Sequence, residues 1–207
     1  MLVCPGPWMA RCFPGGSRMN KDDLKNLLTF IREAEQLKTV LRSAHASNGR
    51  QESTAEHTWR LCLLAMVLEP EFGGTDIAKL LKICVIHDLG EAIHGDVPAV
   101  EQSRFPDKSQ QERRDLMHLL RSLPQSQATH FLALWDEYEN ASSPEARLVK
   151  GLDKLETIIQ HNQGRNPEDF DYAFNLSYGQ AQMAAHPVFS ALRQVLDEET
   201  RQRAQGA

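Results

Sequence analysis

From Asn20 onward, apolar residues recur every three or four positions along most of the chain, the spacing that lays them on one face of an α-helix. Asn20 is placed to cap a first helix running to about Leu41, with Leu24, Leu27, Leu28, Ile31, Ala34 and Leu37 along one face. A polar loop carrying Asn48 and Gly49 follows. Ser53-Thr54-Ala55-Glu56 then matches a capping box, hydroxyl at the cap and carboxylate three residues on, and predicts a second helix to about Glu69. Pro70 and Gly73-Gly74 break the chain, after which Thr75 or Asp76 opens a third helix. Its apolar residues, Ile77, Leu80, Leu81, Ile83, Cys84, Val85 and Ile86, take most of its circumference, so it is expected to be central and buried, with Gly90 as its stop.

Further helices are predicted over about 108–122, 126–139, 144–162, 167–179 and 187–203, punctuated by Pro124, Pro144, Gly164, Pro167 and Pro187. No segment alternates with period two for long enough to predict a strand, and the chain carries no internal repeat or low-complexity tract. The expected class is all-α, a single domain over residues 19–207. Residues 1–18, interrupted by Pro5, Pro7 and Pro14 and lacking both periodicity and a basic leader, are read as a poorly ordered extension, with Met19 as a candidate start.

Composition narrows the class further. A length of 207 residues, 41% of them hydrophobic and 25% charged, suits one soluble globular core. No stretch approaches the roughly 20 apolar residues of a membrane helix, so no membrane partner is expected. A formal net charge of -5 argues against broad binding to a nucleic-acid polymer, while leaving room for a local basic pocket. The four cysteines, Cys4, Cys12, Cys62 and Cys84, form no CxxC pair, which fits a reducing, cytoplasmic compartment.

The chemistry concentrates in HDLGEAIHGD, residues 87–96, directly after the apolar run LLKICVI. Ionisable groups at the end of a buried helix are costly unless paired or bound to a metal. A His-Asp dipeptide alone reads first as an ion-paired aspartate beside a core histidine. Two more segments change that reading. His57 falls where the apolar face of the second helix begins, and Asp153 is flanked by Val149, Leu152, Leu155, Ile158 and Ile159. His57, His87, Asp88 and Asp153 together offer two imidazoles and two carboxylates from three helices. That mixed set suits one divalent ion among Mn, Fe, Co, Mg and Zn, with positions left open for water and substrate.

The series His57, His87-Asp88, Asp153, in the strings AEHTWR (55–60), HDLGEAIHGDVPA (87–99) and LVKGLDKLE (148–156), resembles the HD-domain metal-dependent phosphohydrolases, in particular the branch of bacterial 5′-deoxynucleotidases and related HD hydrolases. The resemblance spans roughly residues 24–180 and implies a helical bundle, often dimeric, acting on nucleoside or deoxynucleoside monophosphates. It makes His57, His87, Asp88 and Asp153 the metal ligands, and Glu91 and Asp96 the acid-base carboxylates. In such chemistry a metal lowers the pKa of a bound water from 15.7 toward about 7, and the resulting hydroxide attacks phosphorus. The implied deoxynucleotidase pattern has an Arg followed at once by Trp at the end of the first helix. Here LKTVLRSAH retains Arg42 as a phosphate contact but has Ser43 in place of the aromatic residue. His94 and Lys154 are further substrate-binding candidates.

His45, His118, His130, His161 and His186 have no partner pattern and are read as structural or exposed, and Trp59 and Trp135 as core. No P-loop, G-x-G-x-x-G, G-x-S-x-G or HExxH motif occurs. Three readings stay open: a 5′-nucleotidase, an HD hydrolase of a nucleoside triphosphate, cyclic nucleotide or alarmone, and a non-catalytic nucleotide- or metal-binding module.

Overall fold

The structure, a computed structural model, describes residues 19–206. The expected extension over 1–18, with Cys4 and Cys12, lies outside the described residues. The element order is α1 (Lys21–Ala34), β1 (Leu41–His45), β2 (Gln51–Ser53), α2 (Thr54–Leu68), α3 (Ile77–Ile86), the single turn α4 (Glu91–His94), α5 (Lys108–Leu119), α6 (Gln125–Glu139), α7 (Pro144–Gln163) and α8 (Pro187–Gln205).

Local sequence chemistry explains where the helices begin. Asn20 Oδ1 accepts from the backbone N–H groups of Asp22 (2.8 Å) and Asp23 (3.0 Å), and Asp23 reaches back to the Asn20 N–H. Ser53 and Glu56 form the reciprocal box that opens α2, Asp76 caps α3, and Ser143 caps α7 with Pro144 at its first position. The ends depart further from expectation. The first helix stops at Ala34, passes through a 3-10 turn over Glu35–Lys38, and gives way to a strand. Its expected apolar face is only partly used: Leu37 is buried and Leu27 and Ala34 are half-buried, whereas Leu24, Leu28 and Ile31 remain exposed and the buried residue of the helix is Phe30, which that face did not include. Helix α3 ends at Ile86 and not at Gly90, which instead opens α4.

The expectation of no strand is corrected by the antiparallel pair β1–β2, which joins Leu41 to Ser53 and His45 to Gln51. Strands this short carry too few positions for alternation to show, although Asn48 and Gly49 mark the turn between them, Gly49 with φ +88°. The helix expected over 167–179 is also corrected. Tyr172–Leu176 and Gln180–Ala185 are 3-10 turns. The buried Arg193 on α8 donates to the carbonyls of Asn175 and Tyr178 (2.6 Å for the latter) and so ties the end of this segment to α8.

Two apolar clusters organise the bundle. One joins α2, α3, α6, α7 and α8 through Leu61, Leu80, Ile83, Leu152, Leu155 and Phe189. The other packs α1 and α5 through Phe30, Leu37, Ile86, Leu116, Leu119 and Trp135. Cys84 belongs to the first and Ile86 to the second, so the C-terminal end of α3 sits at their seam. Helix α7 is the most enclosed element, buried on nearly every side. Trp135 is buried as expected, but Trp59 is 66% exposed.

Gly151 lets α7 approach α8, since a Cβ there would stand 2.5 Å from the Phe189 ring. Gly151→Ala is therefore expected to destabilise the fold by about 1–3 kcal/mol, the usual cost of overpacking. Chemical denaturation checks this, and an unchanged midpoint would show that the two helices separate freely at that point.

Candidate metal centre and active site

The seam between the clusters carries the ionisable groups. His57 stands in the first turn of α2 with a fully buried side chain, and its Nδ1–H donates to the Glu156 carboxylate on α7. Its Nε2 is buried without a hydrogen-bond partner and lies 3.2 Å from Asp153 Oδ1 and 3.8 Å from Asp88 Oδ2. His87, at the end of α3, donates through Nδ1 to the carbonyl of Cys84 at 2.7 Å. That bond leaves the Nε2 lone pair facing Asp88 Oδ2 at 3.0 Å, again with no hydrogen-bond partner. Asp153 accepts from the Tyr138 hydroxyl and from Lys154 Nζ, both at 2.9 Å.

Two buried imidazole nitrogens without donors, facing two carboxylates, fit a divalent cation. The ligand atoms of His57, His87 and Asp88 all lie within 4.8 Å of one another. The electrostatics agree. Burial and Arg42 oppose a charge on His57, yet Glu156 and Asp153 outweigh them and raise its pKa to about 9, so this point favours positive charge. Asp153 is held well below the usual carboxylate range: burial opposes ionisation, but Lys154 and His57 prevail. Nitrogen and oxygen donors together suit Mn, Fe, Co or Zn.

A cavity of about 400 Å³ opens beside the cluster. Its walls include Arg42, Asp88, Glu91, Asp96, Asp153 and Lys154, which the sequence reading singled out, and also Lys108 and Lys150, which it did not. Arg42 projects from β1. It donates to Thr157 Oγ1 at 3.1 Å and lies 3.6 Å from both Glu52 and Asp88, while its buried Nε has no hydrogen-bond partner. Glu91 is buried, accepts from the Thr54 hydroxyl at 3.3 Å and lies 3.7 Å from Lys108 Nζ. Burial, then Asp88 and Asp96, push its carboxyl well above the ordinary range. Asp96 follows Gly95, whose φ of +88° reverses the chain after α4 and brings the aspartate over the same cavity.

His94 is not brought into this cavity. Its side chain is 64% exposed and Nδ1 pairs with Asp115 at 2.7 Å, on the far side of the Glu91–Lys108 wall. The reason is geometric, since His94 ends the single turn that Glu91 begins and points toward α5. Glu156, Glu52, Tyr138 and Lys150 were missed. Glu156 had a legible signal, lying three residues after Asp153 on one face of α7. Glu52, Tyr138 and Lys150 had none, because only packing brings them to the site.

Comparison with known proteins accords with this geometry. The HD-domain family profile matches residues 34–193. The 5′-deoxynucleotidase HDDC2 of Bos taurus is 32% identical over 147 residues, 70% of this chain and 71% of that protein. The protein of the same name from Dictyostelium discoideum is 28% identical over 188 residues, 85% of this chain and 99% of its own. Among solved structures, a "Predicted metal-dependent phosphohydrolase" from Magnetospirillum magnetotacticum superposes with a TM-score of 0.77 at 27% identity, covering 88% of this chain and 95% of that one. A profile that spans both flanks of the His87-Asp88 cluster, together with relatives aligned over most of their length, places this chain in the HD-domain family.

Proposed function

We propose that this protein is a divalent-metal-dependent phosphohydrolase that releases phosphate from (deoxy)nucleoside 5′-monophosphates. The observation that carries the reading is the pair of unpartnered imidazole nitrogens facing Asp88 and Asp153, with the incompletely bonded Arg42 guanidinium on the wall beside them. His57, His87, Asp88 and Asp153 would hold the ion, which when bound supplies Lewis acidity and a water of lowered pKa. The names of the relatives support a nucleotide substrate.

The chain's own groups have separable tasks. Arg42 binds the phosphate through the guanidinium edge that faces Asp88, and the nearby ammonium of Lys154 helps offset the dianion. Glu91 orients the attacking water and takes its proton as the new P–O bond forms. Asp96 gives a proton to the departing ribose oxygen as the P–O5′ bond breaks. Ser43 lines the cavity beside Arg42 and presents no aromatic face to the sugar, so we infer that ribo- and deoxyribonucleotides are both accepted.

The expected result is metal-restored phosphate release from both sugar series by chelator-stripped protein re-supplied with Mn, Co, Mg or Zn. Ser43→Trp is expected to shift kcat/KM toward the deoxy series. Release only from triphosphates or cyclic nucleotides would sink the monophosphate assignment, and metal uptake without any turnover would point to a binding module.

A homodimer belongs to the same reading. Trp59, Leu63 and Met66 form an exposed apolar stripe on α2 that a second copy could cover, and a monomer in sedimentation at micromolar concentration would count against it. Cys62 and Cys84 are free thiols, in keeping with a reducing, cytoplasmic setting. Among the described residues no helix is long and apolar enough to cross a membrane.

A further inference from the structure

Behind His57 lies a buried arrangement that the proposed reaction does not use. Glu156 is 1% exposed at its side chain, sits in the middle of α7, and receives His57 Nδ1–H on one carboxylate oxygen and Arg60 Nε on the other, the latter at 2.6 Å. Arg60 in turn donates to Gln163 Oε1 at 3.2 Å. Two pairs spaced three residues apart therefore interlock: His57 and Arg60 on α2, Asp153 and Glu156 on α7. His57 touches both acids of α7, Asp153 through Nε2 and Glu156 through Nδ1.

The buried carboxylates Glu52 and Glu156 gather with His57 closely enough to raise the question of a second cation site. The arrangement argues otherwise. Glu52 faces the Arg42 guanidinium at 3.6 Å, Glu156 faces that of Arg60, and His57 Nδ1 is already committed as a donor. Two guanidinium charges would repel an incoming ion, and no lone pair of His57 points that way.

We propose that Glu156, braced by Arg60, is the positioning residue for His57: it fixes the tautomer that leaves the Nε2 lone pair directed at the metal position and locks the ring in that orientation. The inference rests on the metal-site reading above. Burying the carboxylate carries a large desolvation cost, which the His57 Nδ1–H and the Arg60 guanidinium offset, so the acid stays ionised as the acceptor that His57 Nδ1–H needs. Outer partners of metal-binding histidines typically govern metal affinity by 10–100-fold.

The test is calorimetric titration of Mn²⁺ into the metal-stripped full chain, with thermal unfolding of each stripped variant recorded alongside. Glu156→Leu is expected to weaken Mn²⁺ binding by about 10–100-fold. Glu156→Gln, whose carbonyl can still accept from Nδ1–H, should recover part of the loss. Arg60→Met, which touches neither ion nor substrate, should weaken binding several-fold. At saturating Mn²⁺ the KM for a nucleoside monophosphate should be unchanged in all three, a split that general loosening of the fold would not produce. A folded Glu156→Leu variant with wild-type Mn²⁺ affinity overturns the inference and leaves the metal site standing. If the leucine variant does not fold, wild-type affinity in both of the other variants overturns it. Absence of Mn²⁺, Co²⁺ and Zn²⁺ binding by the wild type removes the metal site and this inference together.

Discussion

Asp88→Asn is expected to abolish metal-dependent phosphate release, by roughly a thousand-fold or more, because metal activation of water is what makes a nucleophile available near neutral pH. Asp88 places Oδ2 3.0 Å from His87 Nε2 and 3.8 Å from His57 Nε2, so it is the carboxylate that faces both imidazoles. Burial works against its charge, but His87 and His57 outweigh burial and hold the carboxyl well below its ordinary range. Asparagine keeps the shape and removes the anion, leaving a site with one carboxylate, Asp153, that is already engaged by Tyr138 and Lys154. The fold should survive. The asparagine side chain keeps the contact distance to His87 and loses only the long ion pairs to Arg42 at 3.6 Å and His57 at 3.8 Å, and the backbone carbonyl still accepts from the Glu91 N–H. The check is Mn²⁺ stoichiometry and phosphate release measured on one preparation. A folded variant that keeps one tightly bound Mn²⁺ and turns over within about ten-fold of wild type, a loss of no more than about 1.4 kcal/mol, would remove Asp88 from the centre.

Glu91→Gln is expected to lower kcat by about 10²–10⁴, the usual range for loss of a general acid-base group, with Mn²⁺ affinity and KM little changed. Glu91 lies beside the His57–His87–Asp88 cluster without belonging to it, and it lines the cavity where a reacting water would stand. Glutamine preserves the Thr54 contact and the packing, so a loss confined to kcat separates proton handling from structure. Near-normal kcat in this variant would assign the proton to another group. Asp96→Asn, made beside it, shows which of the two acids serves the leaving oxygen.

Different parts of the molecule were legible to different degrees. The starts of α1, α2, α3 and α7 could be read from Asn20, Ser53, Asp76 and Ser143, because a cap is a contact between residues two or three apart. The cluster of His57, His87, Asp88 and Asp153 was anticipated by motif spacing, and the structure brings the four into one cavity wall and the core beside it. His94 shows the limit of proximity in sequence. It lies closer to Asp88 in the chain than Asp153 does, yet the turn of α4 carries it to the other side of Lys108 and onto Asp115.

The sequence by itself determined a helical chain broken at its prolines and glycines, the capped helix starts and the set of ionisable residues available for chemistry. Those properties depend on neighbours within one or two helical turns. Only the tertiary structure decided that residues 41–53 pair as strands, that Arg193 on α8 holds the carbonyls of Asn175 and Tyr178, and that Glu156 and Arg60 stand behind His57. The physical reason is common to all three. A backbone carbonyl, a guanidinium and an imidazole each form hydrogen bonds with whatever partner packing brings within reach, and the partners chosen here are separated by roughly 6 to 100 residues of chain, most of it a distance over which hydrophobic periodicity and capping carry no information.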